Sequence, residues 1–247
     1  MTKTATFRLY GELNDFLPAN ERQREVVHEF LGSPAVKDAI EALGVPHVEV
    51  DLVLVDGEPA GFAQRLNGGE RVAVYPVFTR LDLAALVRVR AAPLRRVAFV
   101  VDGHLGKLAR LLRLLGFDAE YAKGCRDEEI VALATRGERI LLTRDRELLK
   151  RNAIAHGYWV RSTEPLEQAR EVVRRFGLET LVRPFERCLA CNGVLAPVTK
   201  EDVLLRIPPK VRTWRDEFFL CSACDRLYWR GTHYPRLEEW IATILRG

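Results

Sequence analysis

The sequence has few cysteines and no long apolar run. Five cysteines occur among 247 residues, 48% of the residues are hydrophobic and 29% are charged. No apolar run approaches the roughly 18 residues that a membrane-spanning helix needs, and the first residues lack the apolar centre of a secretory signal. The absence of low-complexity tracts argues against a disordered or fibrous chain. We therefore expect folded domains, no membrane partner and a location in the cytoplasm.

The net charge of +4 is spread unevenly along the chain. Residues 1–80 carry 8 basic and 12 acidic side chains, a net charge of −4, whereas residues 81–247 carry 30 and 22, a net charge of +8. A cationic surplus suits a polyanionic substrate such as a nucleic acid. A solvated surface without any partner is the competing interpretation, and charge alone does not decide between the two.

Four of the five cysteines form two Cys-x-x-Cys pairs, Cys188 with Cys191 and Cys221 with Cys224, with 29 residues between the pairs. Disulfides are rare in the cytosol, whereas four thiolates in two such pairs suit a tetrahedral Zn²⁺. We predict a structural zinc site in a small C-terminal domain. Two redox-active motifs are the alternative, although no thioredoxin-like context surrounds either pair. The fifth cysteine, Cys125, is expected to be an ordinary small side chain.

Aromatic and basic residues are interleaved around the second cysteine pair. They are Lys210, Arg212, Trp214, Arg215, Arg226, Tyr228, Trp229 and Arg230. Aromatic rings beside cations can stack on unpaired bases. The same rings could equally form the core of a small domain, and the sequence leaves both interpretations open.

The N-terminal third has the pattern of a small α+β domain. Strands are predicted at residues 4–10, 24–30, 51–55 and 71–78, and a helix at residues 36–43. This order, with the segments 54–58 and 66–76, resembles the ubiquitin-like β-grasp sulfur carriers. Those carriers end in an exposed Gly-Gly, whereas this chain continues through Val77 and Phe78. The resemblance therefore implies docking to a protein partner or a scaffolding role rather than sulfur transfer.

The middle of the chain alternates strands with helices. Residues 81–94 are ambiguous between a helix and a connecting strand, and Pro93 marks a boundary. Beyond it, strands are predicted at residues 97–101, 117–121 and 140–143, and helices at 105–115, 127–134 and 166–176. The order strand–helix–strand–helix–strand predicts a parallel sheet in an α/β domain.

Two of these strands run into an aspartate, Asp102 or Asp145, and an acidic cluster, Asp127-Glu128-Glu129, opens the helix between them. The carboxyl ends of parallel strands lie at one edge of the sheet, where open α/β folds keep their sites. Carboxylates gathered there need a counter-cation, and Mg²⁺ or Mn²⁺ prefers oxygen ligands. The pattern therefore indicates metal-assisted phosphodiester chemistry. Each aspartate could also cap a helix, a role compatible with metal binding.

Other residues near these acids are candidates for the same site. Glu128 and Glu147 are additional candidate acids, whereas Glu129 is expected to be solvated on its helix face. Candidate substrate contacts are Lys107, Arg110, Thr143 and Arg144, and Arg146 could act in the same way. Solvated polar faces and a backbone hydrogen bond from Thr143 are the ordinary alternatives. His104 follows Asp102 and could act in acid–base catalysis, although a loop histidine is more often incidental.

Two segments, 102–118 and 141–146, resemble the C-terminal RNase domain of the Mut-seven family, a branch of the PIN-like nucleases. Members of that family also carry a C-terminal Cys₄ zinc ribbon, and some bacterial members have a ubiquitin-like domain in front. The resemblance implies a metal-dependent RNase with Asp102, Asp127 and Asp145 as the Mg²⁺ or Mn²⁺ ligands. Which acid of the cluster 127–129 binds the metal stays open.

We therefore expect an α/β chain of three parts: a β-grasp domain at residues 1–80, a PIN-like parallel-sheet domain at 95–180 and a zinc ribbon at 185–247. The expected function is hydrolysis of RNA, most readily single-stranded RNA. A degenerate RNA-binding or adaptor protein, recruited through the β-grasp domain, is the main alternative. A Toprim-type domain fits poorly because it starts with a glutamate, and Asp102-Gly103-His104 lacks the second acid of a phosphatase motif.

Overall fold

In a computed structural model of the chain, residues 1–76 and 96–246 are described. They belong to two compact units, one made of residues 1–95 and 126–159, the other of residues 96–125 and 160–247. The ambiguous segment 81–94 and the predicted strand end at Val77 and Phe78 lie outside the described residues. No helix of the described part combines the length and the apolar character needed to cross a bilayer.

The strands in chain order are β1 Lys3–Leu9, β2 Glu25–Phe30, β3 Val50–Val55, β4 Glu58–Pro59, β5 Arg71–Pro76, β6 Ala98–Asp102, β7 Asp118–Ala122, β8 Ile140–Thr143, β9 Gly157–Trp159, β10 Leu195–Val198, β11 Phe218–Cys221 and β12 Leu227–Tyr228. The α-helices are α1 Val36–Ala42, α2 Gly106–Leu114, α3 Asp127–Arg136, α4 Arg146–Leu149, α5 Pro165–Phe176, α6 Pro209–Arg212 and α7 Tyr234–Leu245. Short 3-10 turns lie at Gly11–Phe16, His47–Glu49, Gly103–Leu105, Glu179–Leu181 and Leu204–Arg206.

The N-terminal part of the first unit is a mixed five-stranded sheet in the order β2-β1-β5-β3-β4. β1 and β5 are parallel, and the other neighbours are antiparallel. Buried residues alternate along β1 and β5 because one face of each strand turns toward the core around Phe7, Val36 and Ile40. The predicted strands and helix of this part agree with the structure to within one residue at each described end.

The rest of the first unit consists of α3, β8, α4 and β9. β8 and β9 are parallel, and all four residues of β8 are buried. Complete burial explains why β8 reads as a continuous apolar run rather than as an alternating one. The sequence pattern does not predict β9, because its three residues are too few to show a periodicity.

In the second unit, β6 and β7 are parallel, and α2 packs against β7 and α5. The four leucines predicted to line one face of the helix, Leu105, Leu108, Leu112 and Leu115, are all buried. The helix ends before Gly116, whose φ of +94° suits glycine. A Cβ at Gly116 would lie 2.0 Å from the carbonyl oxygen of Arg183, so the close approach also requires glycine.

The C-terminal part of the second unit is a three-stranded antiparallel sheet in the order β10-β11-β12. Its small core holds Val203, Ile207 and Phe218. The helix α7, which the sequence pattern does not predict, packs against α5. The chain is therefore a mixed α/β protein with parallel strands, an N-terminal mixed sheet and a C-terminal cysteine-bearing ribbon, as predicted.

Candidate metal sites

The four paired cysteines come together in the second unit. Their sulfur atoms all lie within 4.8 Å of one another. The Sγ atoms of Cys188 and Cys224 are 3.6 Å apart, and those of Cys191 and Cys221 are 3.4 Å apart. A Zn–S bond of ~2.3 Å in a tetrahedral site implies S–S distances of ~3.8 Å. The cluster could therefore hold a zinc ion after a small expansion.

Two similar backbone turns place these thiols. The amide of Asn192 donates to the carbonyl oxygen of Cys188 at 3.0 Å, and the amide of Asp225 donates to that of Cys221 at 3.0 Å. Asn192 and Asp225 both have positive φ, of 72° and 57°. A Cβ at Gly193 would lie 2.8 Å from the Sγ of Cys221, so this glycine leaves room for the thiols.

The pKa values of the thiols differ because each thiol has different neighbours. Burial raises the pKa of Cys188, but hydrogen bonds from the Tyr228 hydroxyl and from the Cys191 and Ala190 amides outweigh burial and lower this pKa to about 6. Burial and the neighbouring thiols raise the pKa of Cys191 to about 12. The contacts from Cys191 and from the Arg226 amide lower the pKa of Cys224, yet the combined effect of desolvation and the other thiols raises it. A bound cation would have to displace the remaining thiol protons.

Arg113 joins the first cysteine turn to β7. Its side chain is only 6% exposed, and its Nε donates to the carbonyl oxygen of Ala119 at 2.9 Å. Its Nη1 donates to the carbonyl oxygens of Ala190 at 3.0 Å and Leu189 at 3.4 Å. Burial lowers the pKa of Arg113, whereas Cys191 and Cys188 act in the opposite direction. The sequence pattern does not predict this role of Arg113, although a basic residue among the leucines of α2 could have indicated a buried hydrogen-bond donor.

Asn192 strengthens the same junction. Its Oδ1 accepts a hydrogen bond from the amide of Ala119 at 3.0 Å, and its Nδ2 donates to the carboxylate of Asp118 at 2.7 Å. One asparagine therefore shapes the cysteine turn through its backbone and attaches it to β7 through its side chain.

The predicted acids fall into different units. Asp102, the last residue of β6, belongs to the second unit; it is 8% exposed, and its side chain does not cap the 3-10 turn that follows. Asp145 belongs to the first unit and caps α4, because its Oδ1 accepts from the amides of Glu147 at 2.8 Å and Leu148 at 3.3 Å. The amide of Asp145 donates to the hydroxyl of Thr143 at 2.9 Å. The capping role considered for Asp145 is therefore confirmed.

At the start of α3, the capping role considered for Asp127 is wrong, whereas Glu129 is exposed as predicted. The N-cap is Arg126, and its amide donates to Oε2 of Glu129 at 2.7 Å. Glu129 rather than Asp127 thus provides the capping carboxylate, because a side chain at the third helical position can reach back to the N-cap amide. Asp127 is exposed, with its Oδ2 3.9 Å from Nη2 of Arg151. Glu128 is exposed as well.

The remaining candidates are mostly exposed. Lys107 and Arg110 lie on the exposed part of α2, and Arg144 is exposed in the loop after β8. Glu147 is 2.7 Å from the Nζ of Lys150. An open cleft of about 640 Å³ in the second unit borders the turn after Asp102, and its lining includes His104, Lys107, Tyr121 and Glu164.

The aromatic residues around the second cysteine pair serve different purposes. The hydroxyl of Tyr228 lies 3.0 Å from the Sγ of Cys188, and Trp229 packs against the ribbon core. Trp214 is 48% exposed, and the guanidinium carbon of Arg215 lies 4.3 Å from its ring centroid. Two of the three rings are therefore structural, and Trp214 is available for stacking.

The assembly of a second metal site stays a prediction. Among residues 1–76 and 96–246, the four cysteines are the one group of three or more His, Cys, Asp or Glu side chains whose ligand atoms lie within 4.8 Å of one another. Asp102, Asp127 and Asp145 are candidate ligands because of their residue type and their place at strand and helix ends.

Comparison with known proteins identifies that family. A family model described as Mut7-C RNAse domain matches residues 97–241, and one described as Mut7-C ubiquitin matches residues 2–82. No curated protein and no solved structure matches the chain. The first match covers more than half of the chain, and the second precedes it in the order that the sequence resemblance implies. The chain therefore belongs to the Mut7-C RNAse domain family and carries a Mut7-C ubiquitin domain ahead of its RNase domain.

Proposed function

We propose that the protein is a metal-dependent ribonuclease that hydrolyses phosphodiester bonds in single-stranded RNA. The observation that carries this proposal is the match to the RNase family over residues 97–241, which contain Asp102, Asp127 and Asp145. The positive net charge of the chain beyond residue 80 suits a polyanionic substrate.

The carboxylates fit a hard divalent cation, Mg²⁺ or Mn²⁺. At Asp145, which is exposed, Oδ1 is held by two amides, whereas Oδ2 accepts no hydrogen bond from the described residues. A carboxylate oriented in this way can coordinate a cation through its second oxygen. When bound, such a cation lowers the pKa of a water molecule and stabilises the charge on the phosphate. Asp102, Asp127 and Asp145 would hold it, with Glu128 and Glu147 as additional acids.

The side chains around these acids would bind the RNA. Lys107 and Arg110 on α2 and Arg144 in the loop after β8 present exposed positive charges to phosphate groups. Thr143 is buried, and its hydroxyl accepts a hydrogen bond from the Asp145 amide, so we assign it a positioning role. Trp214, exposed beside Arg215, offers a ring on which an unpaired base could stack.

The four cysteines would hold a structural Zn²⁺, because a closed Cys₄ set leaves no position for a substrate. The proposed organisation is a β-grasp domain at residues 1–80, a PIN-like domain at 95–180 and a zinc ribbon at 185–247. A reducing compartment such as the cytoplasm would keep the thiols available for zinc.

The test uses the full, zinc-loaded chain with a panel of single-stranded RNAs, with and without Mn²⁺. We expect cleavage only with the metal, and Asp102→Asn or Asp145→Asn should each lower the rate by ~100-fold or more, since each removes a charged oxygen ligand. Asp216→Asn, at an exposed ion pair with Lys200 in the second unit, is the matched control and should cut normally. Tight RNA binding without turnover would favour the adaptor function, and unchanged cleavage by both variants would refute the proposed site.

A further inference from the structure

We infer that the β-grasp module, residues 1–76, positions the candidate metal ligand Asp145 through the side chain of Arg146. The inference rests on the proposed function, because it assigns a neighbouring residue a role at the same site. All the residues that carry it belong to the first unit. It makes the appended module part of the RNase site rather than only a docking domain.

Arg146 reaches across the chain to the end of a 3-10 turn in the β-grasp module. Its Nη1 donates to the carbonyl oxygen of Phe16 at 3.2 Å, and its Nη2 donates to that of Asp15 at 3.3 Å. Carbonyl groups at a helix end lack partners within the helix, so a basic side chain is a favourable donor to them. Two adjacent donors of one planar group fix the guanidinium more firmly than a single ammonium could.

Two aromatic rings pack against the same guanidinium. Its central carbon lies 4.1 Å from the ring centroid of Trp159 and 5.1 Å from that of Phe16. The two rings contact each other at a centroid distance of 5.0 Å and an angle of 42°. A cation beside aromatic faces gains electrostatic attraction, more so when it is partly desolvated. The two carbonyl oxygens and the two rings therefore favour an arginine at position 146 because of its charge, its planarity and its paired donors.

Trp159 also holds the other side of the Asp145 loop. Its Nε1 donates to the carbonyl oxygen of Arg144 at 3.2 Å. Its own amide donates to Oε1 of the buried Glu49, in the β-grasp module, at 2.7 Å. The residues before and after Asp145 are thus both attached to the Phe16–Trp159 pair, and that pair is anchored in the β-grasp module.

Further contacts attach the same segment to the module. Nε2 of His47 lies 3.1 Å from the carbonyl oxygen of Ile154, and Lys37 donates to Asn152. A Cβ at Gly157 would lie 3.2 Å from a methyl carbon of Val48, which shows how closely β9 approaches the module. The contacts of Arg146 therefore belong to a broad contact between this segment and the β-grasp module and are not an isolated surface interaction.

This arrangement changes the role of Arg146 from phosphate contact to positioning residue. The guanidinium contacts two carbonyl oxygens and two rings of the first unit, whereas a phosphate contact needs its donors directed at the substrate. Its capping hydrogen bonds orient the carboxylate of Asp145. The contacts of Arg146 and the hydrogen bond accepted by the Arg144 carbonyl fix the position of the loop that carries Asp145. Residues that support a metal ligand in this way usually change metal affinity ~10- to 100-fold when mutated.

The test measures Mn²⁺ binding directly, by the electron paramagnetic resonance signal of free Mn²⁺, on zinc-loaded full-length protein. We expect Arg146→Met to weaken Mn²⁺ binding by ~10-fold or more, with the Michaelis constant for RNA unchanged. Arg146→Lys should bind Mn²⁺ almost as weakly as Arg146→Met, because an ammonium keeps the charge but loses the paired donors and the planar stacking. Arg136→Met, at an exposed arginine at the end of α3, is the matched control and should bind Mn²⁺ normally.

A second variant tests the module itself. Phe16→Leu keeps an apolar side chain in the β-grasp module and removes the ring, and it should weaken Mn²⁺ binding as well. Its effect should not add to that of Arg146→Met, because the two side chains act through one contact. Circular dichroism and zinc content establish that each variant is folded.

The outcomes separate this inference from the proposed function. If folded Arg146→Met bound Mn²⁺ as tightly as the wild type, the inference alone would be overturned. The inference would also be overturned if Arg146→Met raised the Michaelis constant for RNA and Arg146→Lys restored it, because this pattern marks a phosphate contact. Mn²⁺ binding by the wild type without RNA cleavage would overturn the proposed function alone. Absence of Mn²⁺ binding by the wild type would overturn both.

Discussion

In each unit, one arginine donates hydrogen bonds to backbone carbonyls far from it in sequence, yet the two arginines are held differently. Arg113 is almost fully buried and donates to carbonyl oxygens in β7 and in the first cysteine turn. Arg146 is half-buried and depends on two aromatic rings as well as two carbonyl oxygens. Loss of Arg113 would leave the buried carbonyl oxygen of Ala119 without this donor, whereas both hydrogen bonds of Arg146 are only partly buried. The first contact should therefore matter more for stability, and the second more for the position of a loop.

The ribbon and the β-grasp module also differ in what stabilises their folds. The ribbon has a core of few buried side chains, Val203, Ile207 and Phe218, whereas the β-grasp module has a core of eighteen buried residues. A small domain with so little apolar burial usually needs a metal or disulfides to fold. The ribbon therefore depends on its cysteines, and the β-grasp module does not depend on any single side chain to the same degree.

The largest expected effect comes from breaking the cysteine cluster. Cys188→Ser should abolish stoichiometric zinc binding and unfold the ribbon, because structural zinc contributes on the order of 10 kcal/mol to the folding of such small domains. Zinc content by mass spectrometry and the proteolysis pattern provide the measurement. Cys125→Ser, the cysteine outside the cluster, should retain full zinc content. Full zinc content in Cys188→Ser would contradict the assigned ligand set.

A smaller effect is expected from substitution of the two arginines, whose different burial predicts different losses of stability. Arg113→Met should lower the free energy of unfolding by about 2–4 kcal/mol, since the buried carbonyl oxygen of Ala119 and two partly buried carbonyl oxygens lose their donor. Arg146→Met should lower it by only about 1–2 kcal/mol, the size of a partly exposed cation–π contact with its hydrogen bonds. Urea denaturation of zinc-loaded protein provides the values, with Arg110→Met on the exposed face of α2 as the reference. Equal losses of unfolding free energy for the two variants would show that the two arginines stabilise the fold to the same degree.

The smallest expected effect is the pH dependence of zinc binding. Without metal, the pKa of Cys191 is raised to about 12 and that of Cys224 is also raised, so both thiols carry protons at neutral pH. Cys188, with a pKa of about 6, is already ionised there. Zinc binding must release the retained protons, and a lower pH therefore favours the metal-free form. We expect the zinc affinity to fall by at least ~10-fold for each pH unit between pH 8 and pH 7.

Competition with a chelator of known zinc affinity, repeated at several pH values, measures this dependence. A zinc affinity that does not change between pH 8 and pH 7 would show that the thiols are ionised before the metal binds. The affinity should fall more steeply below pH 6, where Cys188 also becomes protonated.

Many helices and strands of the fold can be predicted from the sequence, because they follow from the spacing of residues close together in the chain. The leucine spacing of α2 predicts a helix whose predicted apolar face is buried in the structure. The continuous apolar run before Thr143 predicts a buried strand, and β8 is buried throughout. The two Cys-x-x-Cys pairs predict a cluster that the structure assembles. In each case, the signal depends on neighbours only a few residues apart.

The errors arise where several side chains compete for one role. The sequence pattern allows Asp127 to cap α3, but the carboxylate that reaches the N-cap amide belongs to Glu129. The helix dipole favours acidic residues in the first turn, but it does not determine which of them hydrogen-bonds the N-cap amide. The strand β9 also escapes prediction, because its burial depends on partners in β8 and in the β-grasp module rather than on its own three residues.

The sequence by itself determined the α/β class, the ubiquitin-like domain ahead of an RNase domain, and the cysteine pairs, because strand and helix periodicity and ligand spacing are written in short stretches of chain. Only the tertiary structure decided what the arginines do. Arg146 meets carbonyl oxygens at Asp15 and Phe16, some 130 residues away in sequence, and Arg113 meets the cysteine turn across about 76 residues. A guanidinium takes its role from whichever acceptors and rings the fold brings to it, and no local pattern specifies those partners.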